Sequence, residues 1–348
     1  MSDFDALRDL ALHGDNDAFD AAVAAADDAS TAHWLRATRH DLHGKADDAI
    51  SAYRAALNEP AVAQYIASGA PVRICFNLRR LGQIDAAIFE GEEHLLRLSG
   101  MTPHPFDDMI ELRSILANIY SGRGEFIRAF ALLAEQPPPS MTGILRAQWG
   151  WARSVILFQA GYIDEALDAA VDAAAQVDRI AHPRFVTGID SNIWWIRSVL
   201  GERLADDELR EIKSRITEET QTQRSAITDE LTLVLAYAHA NRGEFGEACE
   251  LIDNLVAGGN LSSAALVRAA TVLNSTGGVT AAQSLYTAAL GQLDAEQQPV
   301  LVASVWRTLA ASYEAAGDIA AALECLKAAV EAAGIVSSPN ADPLCIEY

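Results

Sequence analysis

Apolar residues recur at steps of three and four along most of the chain, and short polar stretches that contain glycine interrupt this pattern. Residues 305–331 show it most clearly, because the same steps continue on both sides of Gly317. Such steps place apolar side chains on one face of a helix, so this segment is predicted to form two amphipathic helices. Gly317 accepts the left-handed backbone conformation that closes a helix, and Asp318 follows where the second helix is expected to begin.

Large and small apolar residues occupy regular positions in these two predicted helices. The large ones are Trp306, Leu309, Tyr313 and Leu326, and the small ones are Ala310, Ala322 and Ala329. This spacing resembles the tetratricopeptide repeat (TPR), a unit of two helices joined by a turn. The resemblance implies an all-α fold, an α-solenoid of antiparallel helix pairs that wind into a TPR-like right-handed superhelix.

The same frame recurs upstream around a series of glycines that mark the predicted turns. These marker glycines are Gly44, Gly82, Gly124, Gly161, Gly243, Gly277 and Gly317. The interval from Gly161 to Gly243 is twice the usual one, which predicts a degenerate unit at 190–220. With a further pair predicted in residues 1–30, turning near Gly14, the chain is expected to hold roughly eight or nine helix pairs.

Repeat coverage leaves little room for a second domain. We predict a single TPR-like helical repeat array over 1–333, with a hinge near 136–142 because Pro137, Pro138 and Pro139 cannot continue a helix. The segment 334–348 has two prolines and no helical period, so it is predicted to be a C-terminal tail. Disorder of this tail and docking on the last helix pair both stay open.

The composition limits which kinds of partner and which cellular compartment are expected. The chain carries a net charge of −22 and a pI of 4.6, which disfavours nucleic acid and anionic membranes as partners. No basic-then-apolar leader and no run of about 18 apolar residues is found. The four cysteines are isolated, as expected in a reducing cytoplasm. Only three lysines occur, a composition that suggests a bacterial origin; we therefore predict an acidic cytoplasmic protein of bacterial type.

The sequence shows no motif that carries catalytic or metal chemistry. His33, His40 and His43 form the densest histidine group, but no cysteine or HExxH pattern supports a metal site. No phosphate-binding loop, dinucleotide fingerprint or nucleophile elbow occurs. We therefore expect no catalytic residue, cofactor or metal site, and we expect that the protein is not an enzyme. An enzyme built in a helical bowl remains a less favoured alternative.

In the TPR family the first helix of each pair lines a concave groove, and the resemblance implies such a groove here. Arginines bind carboxylates in bidentate fashion, asparagines bind peptide backbones, and aromatic side chains anchor interfaces. On these grounds the predicted partner-binding residues are Trp34, Arg73, Phe76, Asn77, Arg80, Asn118, Trp151, Phe158 and Tyr237.

Structural alternatives for these residues remain open. Trp151 and Phe158 have the spacing of core residues as well, and Arg73 and Arg80 are also placed to neutralise acidic faces. The neighbours Trp194 and Trp195 diverge by about 100° on a helix, so we expect that they do not both face the core and that one lies at a seam between helices.

The function that follows is a non-enzymatic scaffold or adaptor, which binds a protein or peptide in the concave groove of a TPR-like solenoid. The alternative is a regulatory protein that senses a ligand or peptide and changes its superhelical shape. The lysine-rich clamp of chaperone-binding TPR modules is absent, so a chaperone C-terminus is not the expected partner. Association into a homo-oligomer is left open, because an end pair without a polar cap exposes apolar surface.

Overall fold

A computed structural model describes most of the chain. The described residues are 16–26, 28–102, 105–134, 136–137, 141–179, 182–222, 226–259, 261–296 and 298–334. The turn predicted near Gly14 lies outside them, and so does the predicted tail apart from Gly334.

The described residues form seventeen α-helices and no strand, so this part of the chain is all-α. The helices are α1 (Asn16–Ala24), α2 (Ala29–Leu42), α3 (Ala46–Leu57), α4 (Gln64–Arg80), α5 (Ile84–Gly100), α6 (Phe106–Gly122), α7 (Phe126–Leu132), α8 (Gly143–Gln159), α9 (Ile163–Gln176), α10 (Pro183–Val199), α11 (Asp206–Thr222), α12 (Ala226–Asn241), α13 (Phe245–Ala257), α14 (Ser263–Ser275), α15 (Val279–Leu290), α16 (Pro299–Ala315) and α17 (Ile319–Gly334). None of these helices is both long and apolar enough to cross a membrane.

One type of turn joins the two helices of each pair from α2–α3 onward. At Gly317 the backbone has a φ of 80°, and the N–H of Asp318 donates to the carbonyl of Tyr313 at 2.9 Å. This bond satisfies a carbonyl that the end of α16 would otherwise leave unpaired. The other marker glycines have positive φ as well, and the residue after each of them makes the same bond. The predicted turns are therefore confirmed.

Alanines line the seam between the paired helices. Five residues after each of six marker glycines stands a fully buried alanine; these are Ala49, Ala87, Ala129, Ala166, Ala248 and Ala282. Because a methyl group takes little space, the two helices of a pair approach closely there. Larger buried residues such as Tyr53, Tyr120 and Tyr286 fill the wider gaps.

The predicted degenerate unit at 190–220 lies within a complete helix pair, α10 and α11. Its turn is at Gly201, which has a φ of 79° and is followed by the usual bond, from the N–H of Glu202 to the carbonyl of Arg197. The position five residues later is Asp206, the first residue of α11, in place of the usual alanine. The connection is therefore longer, and Leu209 and Ile212 supply the buried face of α11.

The chain divides into two compact units. Unit 1 comprises Met1–Ile119 and Ile127–Met141, and unit 2 comprises Tyr120–Phe126 and Thr142–Tyr348. The core of unit 1 includes Ile66, Leu98 and Leu112, all fully buried. Within unit 2 one apolar cluster extends from Trp194 to Cys325. The hinge predicted near 136–142 stays a prediction.

Replacing Gly317 with alanine should destabilise the fold, because a Cβ at positive φ costs about 1–2 kcal/mol. The matched control is Gly246→Ala in α13, where the added Cβ meets open space and φ is not positive. That change should be neutral or stabilise by up to about 1 kcal/mol. Urea unfolding followed by circular dichroism measures both. Equal effects of the two substitutions would contradict the role given to the turn.

Candidate partner-binding surface

In unit 1 the first helices of successive pairs, α2, α4 and α6, carry a continuous set of polar and aromatic side chains. Arg73 of α4 lies 3.3 Å from Glu111 of α6, measured from Nη1 to Oε1. Arg80, at the end of α4, donates from Nη1 to Oδ1 of Asp41 on α2 at 3.2 Å. We call the following set the first-helix surface: Asp41, Tyr65, Arg73, Phe76, Arg80, Asp108, Glu111 and Asn118.

The two arginines of this surface are charged and partly accessible. The side chain of Arg73 is 41% exposed and that of Arg80 is 34% exposed. Burial works to lower the pKa of Arg73, but Glu111 and the nearby groups Tyr53, Asp41 and Asp108 raise it above its ordinary value. Their carboxylate partners are less accessible, since the side chain of Glu111 is 25% exposed and that of Asp41 is 13% exposed. Each pair therefore presents its guanidinium to a ligand more than its carboxylate.

Asp108 lies at the edge of this surface in a less hydrated position. Burial raises its pKa; a hydrogen bond from Ser68 opposes the rise, and the neighbouring Glu111 and Asp107 add to it. Arg73 lowers the pKa but does not cancel the other effects. The ionised form of Asp108 is therefore disfavoured in the folded chain.

Trp34 lies beneath the first-helix surface. It is only 8% exposed, and its ring meets Tyr53 and Tyr65 edge-on at centroid distances of 5.1 and 6.2 Å. Gly69 of α4 faces it so closely that an added Cβ would lie 3.1 Å from Cη2 of the indole. The predicted partner residue Trp34 thus supports the surface, whereas Tyr65, which is half exposed, is accessible on it.

Asn77 is also placed below the surface, since its side chain is fully buried. Its Nδ2 donates to the carbonyl of Arg73 at 3.0 Å, and its Oδ1 accepts from Nη1 of Arg80 at 3.3 Å. The amide is thus used within α4, where it orients Arg80. Phe76 is half-buried, and the guanidinium groups of Arg79 and Arg80 lie 5.8 and 5.7 Å from its ring centroid.

Asn118 is half-buried on α6, one turn after Ser114. Its Nδ2 donates to the carbonyl of Ser114 at 3.0 Å. One N–H of the amide is therefore engaged within the helix. The side-chain oxygen of Asn118 is a hydrogen-bond acceptor.

The remaining predicted residues belong to unit 2 and are partly engaged in packing. Trp151 of α8 is half-buried, and its ring meets Phe185 edge-on at 5.5 Å between centroids. Gly188 faces Trp151, and an added Cβ there would lie 2.9 Å from its Cη2. Phe158 packs against the main apolar cluster of unit 2.

Tyr237 is half-buried on α12 and packs against Trp195 of α10, with 5.3 Å between ring centroids. Burial raises the pKa of its hydroxyl. Arg268 of α14 lies 4.7 Å from the ring of Trp195 and 3.7 Å from Glu230 of α12. Cation–π contacts of this kind link the first helices α10 and α14 of unit 2.

Trp194 and Trp195 are both buried, contrary to the expectation that only one of them faces the core. Trp195 packs against Tyr237, while Trp194 receives the guanidinium of Arg215 from α11 at 5.2 Å from its ring. Arg215 in turn pairs with Asp190 of α10. Two sides of α10 are therefore covered by different helices, so neighbouring residues are both buried.

Three acidic members of the first-helix surface, Asp41, Asp108 and Glu111, are not among the residues predicted from the sequence. Asp107 and Asp108 stand where a helix begins, which explains them locally. The step of three from Asp108 to Glu111 puts both on one helix face, and this is the only signal the sequence offers. Their pairing with arginines of α4 depends on contacts between helices that no spacing reveals.

Within the described residues, no three or more His, Cys, Asp and Glu side chains are placed to hold a metal ion. His40 lies 3.9 Å from Asp48, measured from Nδ1 to Oδ2. His43 forms the C-cap of α2.

Asp108→Asn should stabilise the fold relative to the wild type, and this gain should be larger at neutral pH than at acid pH. The raised pKa of Asp108 means that the folded chain binds this proton more tightly than the unfolded chain does, so the contribution of Asp108 to stability falls as pH rises above the ordinary value of 3.8. The amide removes this penalty. Urea midpoints at about pH 4 and about pH 7 measure the difference, which should grow with pH.

Asp107→Asn, on the exposed side of the same turn, is the matched control for losing a negative charge at this helix end. It should not stabilise the protein at neutral pH. A similar gain in both variants would assign the effect to net charge and not to the position of Asp108.

No family model matches the chain, and no curated protein matches it. Solved structures do share its fold. A Rap protein complexed with Competence and Sporulation Factor has a TM-score of 0.54 at 12% identity, over 78% of each chain. The structure of phAimR has a TM-score of 0.53 at 11% identity, over 92% of this chain and 78% of the other. The chain therefore has an all-α, TPR-like helical-repeat fold.

Proposed function

We propose that this protein is a non-enzymatic regulator or adaptor that binds a peptide, or an extended segment of a protein, on the first-helix surface of unit 1. The observation that carries the proposal is the row of charged and aromatic side chains on α2, α4 and α6, of which Tyr65, Phe76, Arg73 and Arg80 are partly accessible. Helical repeats use first helices in this way because those helices stack side by side along the array.

The chemistry of the surface suits an extended peptide. Phe76 and Tyr65 offer aromatic area, and residues of this type supply much of the binding energy in interfaces. The carbonyl oxygen of Asn118 is an acceptor for a peptide N–H. The ion pairs Arg73–Glu111 and Arg80–Asp41 provide charges of both signs that a ligand can exchange with its own.

The charge balance favours a basic or mixed-charge peptide over an acidic one. On the surface Asp41 and Glu111 balance Arg80 and Arg73 in number, while the whole chain carries −22. Long-range attraction therefore speeds the approach of cations and slows that of anions, an effect that added salt screens.

A second candidate function is sensing, in which ligand binding changes the conformation of the chain to control a partner. The similarity in fold to a Rap protein solved with a bound factor favours this candidate. A sensor needs a ligand that binds one conformation better than another. A static adaptor has no such requirement.

Phe76→Ala should weaken peptide binding by roughly 5- to 150-fold, the cost of an aromatic anchor worth about 1–3 kcal/mol. The probes are fluorescein-labelled decapeptide pools of matched hydrophobicity that carry positive, zero or negative net charge. Anisotropy titrations should show the tightest binding for the positive or the mixed pool, and weaker binding in high salt.

The matched control is Phe89→Ala on α5, because Phe89 is a largely exposed phenylalanine on a second helix of the same unit. It should leave affinity unchanged. Equal losses in both variants, no loss in Phe76→Ala, or preference for the negative pool would reject this surface as the binding site.

Small-angle scattering separates the two candidates. A sensor should change its radius of gyration when the best-binding pool is added at saturation, and Phe76→Ala should abolish that change. A static adaptor should bind the same pool without a change beyond the mass of the peptide. Binding without a change in scattering would therefore exclude sensing and leave the adaptor.

A further inference from the structure

The last described helix, α17, exposes a row of large apolar side chains. Ile319, Leu323, Leu326 and Val330 are 64%, 53%, 45% and 71% exposed. At 100° per residue these four positions fall within an arc of roughly 60°, so they form one continuous stripe along the helix. We call these four residues the α17 stripe. Beside the stripe, α17 carries charged residues, including the ion pair between Lys327 and Glu324.

The middle positions of this stripe are covered in earlier helix pairs, although in α13 the two outer positions, Phe245 and Val256, are 48% and 38% exposed. Counted from the turn glycine, the stripe occupies the second, sixth, ninth and thirteenth residues. In α3 the first three of these are Ala46, Ile50 and Tyr53, all buried. In α15 the ninth is Tyr286, which is fully buried, and the thirteenth is Leu290, which is half-buried.

What covers these positions is the following helix pair. In unit 1 the ninth position of α5 is Gly91, where an added Cβ would lie 2.8 Å from Leu116 of α6. In unit 2 the thirteenth position of α15, Leu290, packs against Val302 and Ala303 of α16. The α17 stripe is thus the docking face for a next helix pair, and α17 has none among the described residues.

We propose that the α17 stripe binds the α17 stripe of a second copy of this chain, with the two helices antiparallel about a two-fold axis. The spacing of the stripe supports this occupant, because its steps of four, three and four read the same in both directions. An antiparallel copy places Ile319 opposite Val330 and Leu323 opposite Leu326 of the second copy. A two-fold interface requires such self-complementarity.

The composition and size of the stripe determine how tightly the dimer is expected to associate. Its core is apolar, and Lys327, Glu331 and Glu324 lie along one side of it, as charged residues border the apolar core of many interfaces between proteins. An interface confined to one helix of each copy is small beside the roughly 1,600 Å² that a standard protein interface buries. We therefore expect a dimer with a dissociation constant on the order of micromolar.

The test is sedimentation equilibrium of the full chain from about 1 to about 200 µM. The wild type should shift from monomer to dimer. The double variant Leu323→Glu with Val330→Glu should raise the dissociation constant by about tenfold or more, since two charges per copy lose water on association. Both residues are exposed in the single chain, so the variant should keep the wild-type helical circular dichroism.

Phe89→Glu with Leu96→Glu on α5 is the matched control. These two residues have the same spacing of seven, are 70% and 76% exposed, and add the same charge to the chain. The control should dimerise like the wild type. A wild type that stays monomeric overturns the proposal, whether residues from 335 onward or a different protein cover the stripe. A dimer that survives the stripe variant, or that the control also abolishes, overturns it as well.

Discussion

The structure depends on one repeated constraint, the left-handed turn that closes the first helix of each pair. A positive φ at glycine lets the next N–H reach back to a carbonyl of the finished turn, as Asp318 does to Tyr313. The chain then reverses direction within a few residues. The apolar faces of the two helices meet at once, and a small residue such as Ala322 lets them approach closely. Each pair still has uncovered apolar surface, which the next pair covers.

In this arrangement the two helices of a pair have different roles. Second helices bury their alanine-lined side, while first helices stand side by side and keep one face for polar side chains. In unit 1 that face holds Arg73, Arg80 and their carboxylate partners. These ion pairs order the surface, and the partly exposed arginines stay within reach of a ligand. At the last described helix, by contrast, Leu323 and Leu326 of the α17 stripe are exposed, whereas the equivalent residues of α3, Ile50 and Tyr53, are buried.

The regular part of this fold could be predicted from the sequence because its signals are local. Glycine at a turn and alanine five residues later identify a pair without knowledge of its neighbours. The pair α10–α11 departs from the rule, since Gly201 is followed by a longer connection and Leu209 replaces the alanine. Its turn was missed for that reason. Trp194 and Trp195 were misjudged because the angle between neighbours says nothing about how many sides of a helix are covered.

The sequence by itself determined most of the helix pairs with their turns, and the first helices that carry the candidate surface. These follow from periodicity and from backbone preferences, which act over a few residues. Only the tertiary structure decided that Asn77 lies beneath the surface and that Glu111 lies beside Arg73 on it. Burial and ion pairing depend on distances between helices that are far apart along the chain, and hydrophobic spacing on one helix carries no information about what a neighbouring helix brings to meet it.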